Sequence, residues 1–140
     1  MIAPQELRLG NLVTIDNPDF HKKMKGIPVI VNGINFRIER DFPKSTASIS
    51  VTDGKFSYDQ FNEFISPIEL NEDWLFKLGY ECNKNEYSIS GHDRFNVFQS
   101  VKGPYIFCDD KIAIKYVKYV HELQNIFFAL TGEELTIKES

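Results

Sequence analysis

Cysteine, histidine and long apolar runs are all scarce in this sequence. Its two cysteines, Cys82 and Cys108, fall outside any Cys-x-x-Cys pattern, and its three histidines are scattered. We therefore predict neither a disulfide framework nor a metal site, and we expect two reduced, packed thiols. No segment approaches the ~18 apolar residues that span a membrane, and residues 1–9 lack the basic and apolar regions of a signal peptide. The sequence thus predicts a cytoplasmic protein without membrane association.

Catalytic signatures are also absent from the sequence. It contains no P-loop, no Gly-x-Gly-x-x-Gly, no His-Glu-x-x-His and no recognisable arrangement of Ser, His and Asp around a nucleophile. We predict no catalytic residue and no cofactor, although one sequence can hide an active site. The net charge of −4 argues against binding along a nucleic-acid backbone, which needs a basic face.

The composition is that of a globular domain with many aromatic residues. The 140 residues are 42% hydrophobic and 26% charged, and they include 12 Phe and 6 Tyr. A chain of this length suits one core, which can be divided into two lobes. Because aromatic residues are enriched at interfaces, we predict self-association as a homodimer or higher oligomer.

Residues 1–66 are predicted to form a β-rich N-terminal lobe. An apolar pattern from Leu12 to Ile15 follows the turn at Gly10-Asn11, and a second strand-like pattern runs over residues 29–38. Within that second pattern, Asn32-Gly33 indicates either a hairpin turn or a bulge. Asp53-Gly54, flanked by alternating apolar residues, predicts a hairpin. The resulting small antiparallel sheet could close into an SH3-like barrel.

The loop over residues 16–26 carries a basic cluster of His21, Lys22, Lys23 and Lys25. Such a cluster could contact an anion. A solvated loop is the interpretation that we favour.

Residues 67–140 are predicted to form an α+β C-terminal lobe, packed with the first lobe as one compact unit. Pro67 marks the boundary, Asn71 caps a short helix through Leu78, and Gly79 ends it. Five short strands separated by turn residues then predict an antiparallel meander over residues 80–82, 87–89, 95–98, 105–108 and 112–114. The fold class predicted for the whole chain is therefore α+β.

The last element is predicted to be a long amphipathic helix within residues 115–135. It should end near Thr131, because Gly132 suits the left-handed position that follows a helix. At about 100° per residue, one stripe of this helix is apolar and contains Tyr116, Tyr119, Val120, Leu123, Ile126, Phe127 and Leu130. Glu133 and Glu134 fit poorly beside the negative end of the helix dipole.

Three segments, over residues 6–11, 67–75 and 119–133, occur in order along nearly the whole chain. Together they resemble a family of small uncharacterised proteins found in Bacteroidetes genomes and their phages. Asn71 and Glu122 stand where that family is expected to have Thr and Gln. The resemblance implies no activity and no catalytic residues. It implies an origin on a phage or another mobile element, and therefore a location in the cytoplasm of the bacterial host.

Two groups of residues are the candidate ligand-binding sites. On the predicted helix, His121, Gln124 and Phe128 form a strip beside the apolar stripe, which could hold a nucleobase by stacking and hydrogen bonding. Alternatively, His121 and Gln124 satisfy backbone groups of neighbouring strands. In a predicted turn, His92 and Arg94 could bind a phosphate or a carboxylate, and a solvated turn is the alternative.

We therefore predict a non-enzymatic binding protein of phage or mobile-element origin. Its partner would be a small nucleotide-like signal or a host defence protein that it blocks. One alternative is a nucleic-acid-binding accessory module on the SH3-like sheet, which the basic loop favours and the acidic net charge disfavours. Another is a small hydrolase that acts on nucleotides through His92 or His121.

Overall fold

The computed structural model describes residues 2, 4–20, 24–37, 46–101 and 103–138. His21, Lys22 and Lys23 of the basic cluster lie outside these described residues, as does Ile38. The chain splits into two compact units, Met1–Ile68 and Glu69–Ser140, each with its own five-stranded antiparallel sheet. A short helix and a C-terminal helix complete the second unit, so the predicted α+β class is confirmed. The predicted packing of the two lobes as one unit stays a prediction.

The N-terminal unit is a sheet with the strand order β4-β3-β2-β1-β5. A 3-10 helix at Pro4–Glu6 precedes β1 (Leu12–Ile15), and the other strands are β2 (Val29–Arg37), β3 (Thr46–Thr52), β4 (Ser57–Phe61) and β5 (Ile65–Ser66). The two outermost strands, β4 and β5, are therefore consecutive in the chain.

This connection requires the sheet to curl. A flat five-stranded sheet would hold its outer strands about 19 Å apart, at ~4.8 Å for each neighbouring pair. Between Phe61 and Ile65, however, the chain passes through the 3-10 helix Asn62–Phe64, which advances only about 2 Å per residue and so covers about 8 Å. The two edges of the sheet must therefore approach each other. The SH3-like assignment of this curled sheet stays a prediction.

The two turn dipeptides of this unit have different outcomes. Asp53 accepts hydrogen bonds from the backbone N–H groups of Lys55 (2.8 Å) and Phe56 (2.9 Å), so the predicted hairpin between β3 and β4 is confirmed. At Asn32-Gly33 the register of β2 against β3 shifts between Val31 and Gly33, which identifies a bulge within one long strand.

Aliphatic residues of β1, β2, β3 and β5, together with two from the segment before β1, form the core of this unit. The buried members are Ile2, Leu7, Val13, Ile15, Val29, Val31, Ala47, Ile49, Val51 and Ile65. Phe20, Met24, Ile34 and Tyr58 pack against them and are partly buried.

The C-terminal unit is a meander with the strand order β10-β9-β8-β7-β6. The five predicted strands are confirmed as β6 (Tyr80–Asn83), β7 (Glu86–Ile89), β8 (Phe95–Gln99), β9 (Tyr105–Asp109) and β10 (Ile112–Val117). The predicted short helix is α1 (Glu72–Lys77), whose first turn is capped by Asn71 Oδ1 accepting a hydrogen bond from the Trp74 N–H at 2.9 Å. Gly79 follows it with φ 101°, a conformation that suits glycine.

Helix α1 packs on one face of this sheet. Tyr87, Val97 and Phe107 occupy paired positions on β7, β8 and β9 and are at most 1% exposed. Tyr87 donates a hydrogen bond to Glu72 of α1 at 2.9 Å, and its ring also contacts Phe76 of that helix. This face of the sheet is therefore buried.

The C-terminal helix begins later than the sequence pattern predicts. Helix α2 spans Val120–Thr131, and residues 115–117 belong to β10. The predicted place of Tyr116 in the apolar stripe was wrong, because it lies on an edge strand and is 63% exposed. Leu130 is 44% exposed, so the predicted core face is also shorter. The predicted end is confirmed, since Gly132 follows Thr131 with φ 76°.

Candidate functional site

His121 and Gln124 lie on the buried face of α2. Their exposed fractions are 2% and 0%. The ring of His121 stacks on that of Tyr119, with centroids 5.8 Å apart, and Gln124 Nε2 donates a hydrogen bond to the Leu135 carbonyl at 2.9 Å. This geometry favours the structural alternative for Gln124. Its backbone partner is in the C-terminal tail and not in a neighbouring strand.

His92 lies at the end of α2. Its Nε2 is 2.7 Å from a carboxylate oxygen of Glu133, and its ring meets that of Phe127 edge-on at 5.0 Å. This pair gives Glu133 a partner beyond the negative end of the helix, where a carboxylate alone is disfavoured. Phe128, the third residue of the predicted strip on this helix, is 39% exposed.

Arg94 pairs with Asp109 at the start of the turn between β9 and β10. The Arg94 carbonyl also accepts a hydrogen bond from the Asp110 N–H at 2.8 Å. The carboxylate of Asp109 already occupies the guanidinium Nε, so an incoming anion would have to compete with it.

The structure does not assemble the five predicted site residues into one open pocket. Two are buried in α2, His92 is paired at the helix end, and Arg94 is paired on the sheet. Ligand binding by these residues stays a prediction.

A different place in the chain forms an open cleft. It lies in the N-terminal unit, has a volume of about 460 Å³ and is lined by Asn17, Asp19, Ser48, Asp59, Gln60, Phe61 and Phe64. These residues come from the segment after β1, from β3 and β4, and from the 3-10 helix before β5. The cleft therefore runs between edge strand β4 and the part of the chain that the curl brings opposite it.

Hydrogen bonds hold the wall opposite β4 in place. Asp16 N–H donates to the Phe64 carbonyl at 2.7 Å, which fixes the segment after β1 against the 3-10 helix. The next residue, Asn17, donates through Nδ2 to Gln60 Oε1 at 3.0 Å and accepts the Asp19 N–H at 2.9 Å. This partly buried amide pair ties the wall to β4, where Gln60 is only 9% exposed.

Three consecutive residues of β4, Asp59, Gln60 and Phe61, line this cleft. Side chains alternate between the two faces of a strand. Gln60 pairs with buried Ile49 and points inward, whereas Asp59 and Phe61 are exposed. Residues on opposite faces can share one cleft only where it wraps the edge of their strand. The cleft therefore exposes the backbone edge of β4.

The described lining of the cleft carries negative charge. Among the residues that the structure describes, it contains two carboxylates, Asp19 and Asp59, and no Lys or Arg. Both aspartates are exposed, and neither makes an ion pair with another described residue. Two unpaired carboxylates repel phosphate and attract a cationic group. Phe61, which is 49% exposed, adds an apolar surface.

Sequence reasoning missed this cleft, although one signal was available. Tyr58 and Gln60 share the inward alternation of β4, so a polar side chain occupies a core-facing position. That pattern indicates a buried partner. It does not identify Asn17 as the partner, because the two residues are 43 positions apart.

A second cleft, of about 550 Å³, lies within the C-terminal unit and is lined by Glu69, Leu70, Gly103, Pro104, Tyr105, Val117 and Lys118. The two charged residues in the described part of this lining, Glu69 and Lys118, have opposite signs, so these residues do not favour a ligand of either charge. The Leu70 N–H donates a hydrogen bond to the Lys118 carbonyl at 2.9 Å, so these two backbone groups in the lining are already paired with each other.

The described part of the chain contains no group of three or more His, Cys, Asp or Glu residues that could hold a metal ion. Within the same residues, no helix has both the length and the apolar character needed to cross a membrane. No family model matches the sequence, and no curated protein or solved structure is significantly similar to it.

Proposed function

We propose that this chain is a non-enzymatic binding protein of phage or mobile-element origin, which acts in the host cytoplasm and blocks a host protein. The observation that supports this proposal is the cleft of the N-terminal unit, where the edge of β4 lies beside two exposed carboxylates and an exposed phenylalanine. The lining offers hydrogen-bond acceptors, an apolar contact and a strand edge, which are the elements of a protein-binding surface.

Between the two predicted partners, the charge of the cleft favours a protein over a nucleotide. A nucleotide brings phosphates toward Asp19 and Asp59, and the repulsion is strongest at low ionic strength. A basic surface of a protein meets the same two carboxylates favourably. The negative charge disfavours the nucleic-acid-binding alternative for the same reason.

Purification under native conditions tests this proposal. The tagged wild-type chain would be expressed in a Bacteroidetes host and compared with Asp59→Lys by native mass spectrometry, which detects both proteins and nucleotides. The matched control is Glu81→Lys, because Glu81 is also an exposed acidic residue on an edge strand, β6 of the other sheet.

We expect a host protein that is retained by the wild type and by Glu81→Lys and is lost from Asp59→Lys. Retention by all three chains, or by none of them, would contradict binding at the cleft. A nucleotide retained in place of a protein would support the other predicted partner, and its turnover would establish the hydrolase alternative.

A further inference from the structure

We propose that the cleft captures an extended, lysine- or arginine-bearing segment of the partner, which adds to the sheet as a sixth strand beside β4. This inference rests on the proposed function and specifies its partner. In strand addition, backbone hydrogen bonds supply affinity, and alternate side chains supply specificity.

The first argument is the state of the β4 edge. Strand β4 pairs with β3 alone, and no described residue accepts from or donates to the backbone on its other side. Among the described residues, β4 meets the segment after β1 through side chains, namely the hydrogen bond between Asn17 and Gln60 and the edge-on contact of the Tyr58 ring with that of Phe20 at 5.2 Å. The free edge has five residues, which corresponds to about 17 Å of strand.

The second argument is that this edge lacks most of the features that protect an edge strand, and that its one charged residue, Asp59, opposes like charge but not a basic segment. Protection comes from short length, bulges, proline and charged side chains, lysine above all. Strand β5 has only two residues, and β10 is interrupted by a register shift at Ile114 and carries Lys115. Strand β4 has neither a register shift nor a proline or lysine. It is thus a more suitable template for an added strand than β5 or β10.

The third argument is charge complementarity. Asp59 projects from the edge strand itself, and Asp19 lies on the opposite wall of the cleft. An added strand presents alternate side chains to the same face as Asp59, where a lysine or arginine would pair with the carboxylate. The residue two positions away would meet exposed Phe61, where an apolar side chain fits.

Peptide selection on the full-length protein tests this inference. Random heptapeptides displayed on phage would be selected separately on the wild type, on Asp59→Lys and on Glu81→Lys. We expect Lys or Arg at alternate positions among β-branched residues with the wild type and with Glu81→Lys, and no such enrichment with Asp59→Lys. Asp59→Asn, which removes the charge without reversing it, would replace Asp59→Lys if that variant does not fold.

Backbone methylation of an enriched peptide tests the binding mode. An added strand donates every second N–H to its neighbour, so methylating one alternate set of nitrogens should weaken binding at least about tenfold, since each lost bond contributes about 1 kcal/mol. Methylating the other set should change affinity less than about threefold.

Equal effects of the two methylation patterns, proline-rich or acidic consensus peptides, or the same enrichment on Asp59→Lys would each overturn strand addition. If no peptide is enriched while native purification retains a nucleotide at the cleft, strand addition is wrong. The cleft would then bind the other predicted partner, a nucleotide. If no peptide is enriched and no retained molecule depends on Asp59, both proposals fail.

Discussion

The hydrogen bond between Gln124 and the Leu135 carbonyl indicates a structural role for Gln124, which the sequence analysis proposed as a ligand-binding residue. The two residues are 0% and 1% exposed, and the bond length is 2.9 Å. Because both groups are removed from water, deleting the amide leaves the carbonyl without this donor. Such a loss costs about 1–3 kcal/mol. A residue in an open site would show no comparable cost.

The perturbation is Gln124→Met, made in the full chain and in a chain that ends at Glu133. In the full chain we expect a loss of about 1–3 kcal/mol. Truncation removes the buried Leu135 side chain, at about 1.5–3 kcal/mol, and takes the acceptor from the Gln124 amide, at about 1–3 kcal/mol, so it should cost about 2.5–6 kcal/mol. In the truncated chain, Gln124→Met should therefore cost less than in the full chain. The double-mutant cycle should give a coupling of about 1–3 kcal/mol.

Urea unfolding followed by tryptophan fluorescence measures these free energies. Trp74 is the only tryptophan of the chain and is buried in the C-terminal unit, so its signal reports that unit even if the two units unfold separately. Truncation at Glu133 retains the contact with His92. An equal loss of unfolding free energy from Gln124→Met in both chains would refute the coupling. If the full chain loses no stability, Gln124 again becomes a candidate for ligand binding.

Three further predictions concern single side chains. The hydroxyl of Tyr80 is buried without a hydrogen-bond partner among the described residues, so Tyr80→Phe should stabilise the protein by about 1 kcal/mol at pH 7, and a lower urea midpoint would contradict this. Burial raises the pKa of Tyr80. The unfolded chain therefore ionises first, and stability should fall by up to about 1.4 kcal/mol per pH unit above pH 10, a loss that Tyr80→Phe should reduce. Asn71→Ala should cost about 1 kcal/mol, whereas Asn71→Thr should keep most of the cap, and equal midpoints for both variants would exclude a capping role. Burial raises the pKa of the Cys108 thiol, while Cys82 is exposed. A disulfide reagent should thus modify Cys82 first, and Cys82→Ser should abolish the fast phase of thiol modification. A fast phase that persists in Cys82→Ser would contradict this order of reactivity.

The elements that the sequence predicted well are those fixed by local chemistry. The Asn71 cap, the Asp53-Gly54 hairpin and the stop at Gly132 each depend on hydrogen bonds or backbone angles within a few residues. Cys82 shows the limit of such reasoning. It was expected to be packed, as Cys108 is, but it lies exposed on edge strand β6. Exposure depends on which strand occupies the edge of a sheet, and composition does not specify that position.

The predicted start of α2 was wrong because the residues before it fit both a helical apolar stripe and a strand. Tyr116 satisfies the helical stripe, but pairing with Ile106 on β9 keeps it in a strand. A bridge between Glu69 and Tyr119 then holds the chain extended for two more residues. The true start has a local marker, since Glu122 accepts the N–H groups of Lys118 and Tyr119, both at 3.0 Å. A glutamate in the first turn was therefore a better guide than the apolar stripe.

The cleft could not be predicted because it is created by the curl of the sheet. Its walls are residues 17–19 and 59–61, which are about 40 positions apart in the chain. No local propensity determines their separation. The short connection through Asn62–Phe64 does, since it brings the two edges of the sheet together.

Asp59 also affects how the protein would associate with itself. If two β4 strands paired antiparallel over all five residues, Ser57 would face Phe61, Tyr58 would face Gln60, and Asp59 would face the Asp59 of the second copy. Like charges directly opposite each other destabilise a strand pair. The same carboxylate that attracts a basic segment therefore opposes homodimer formation through this edge. The predicted self-association would therefore need another surface, and Asp59→Asn should not abolish an oligomer detected by light scattering. A dimer that forms only after this substitution would show that the charge at Asp59 keeps the β4 edge free for a different partner.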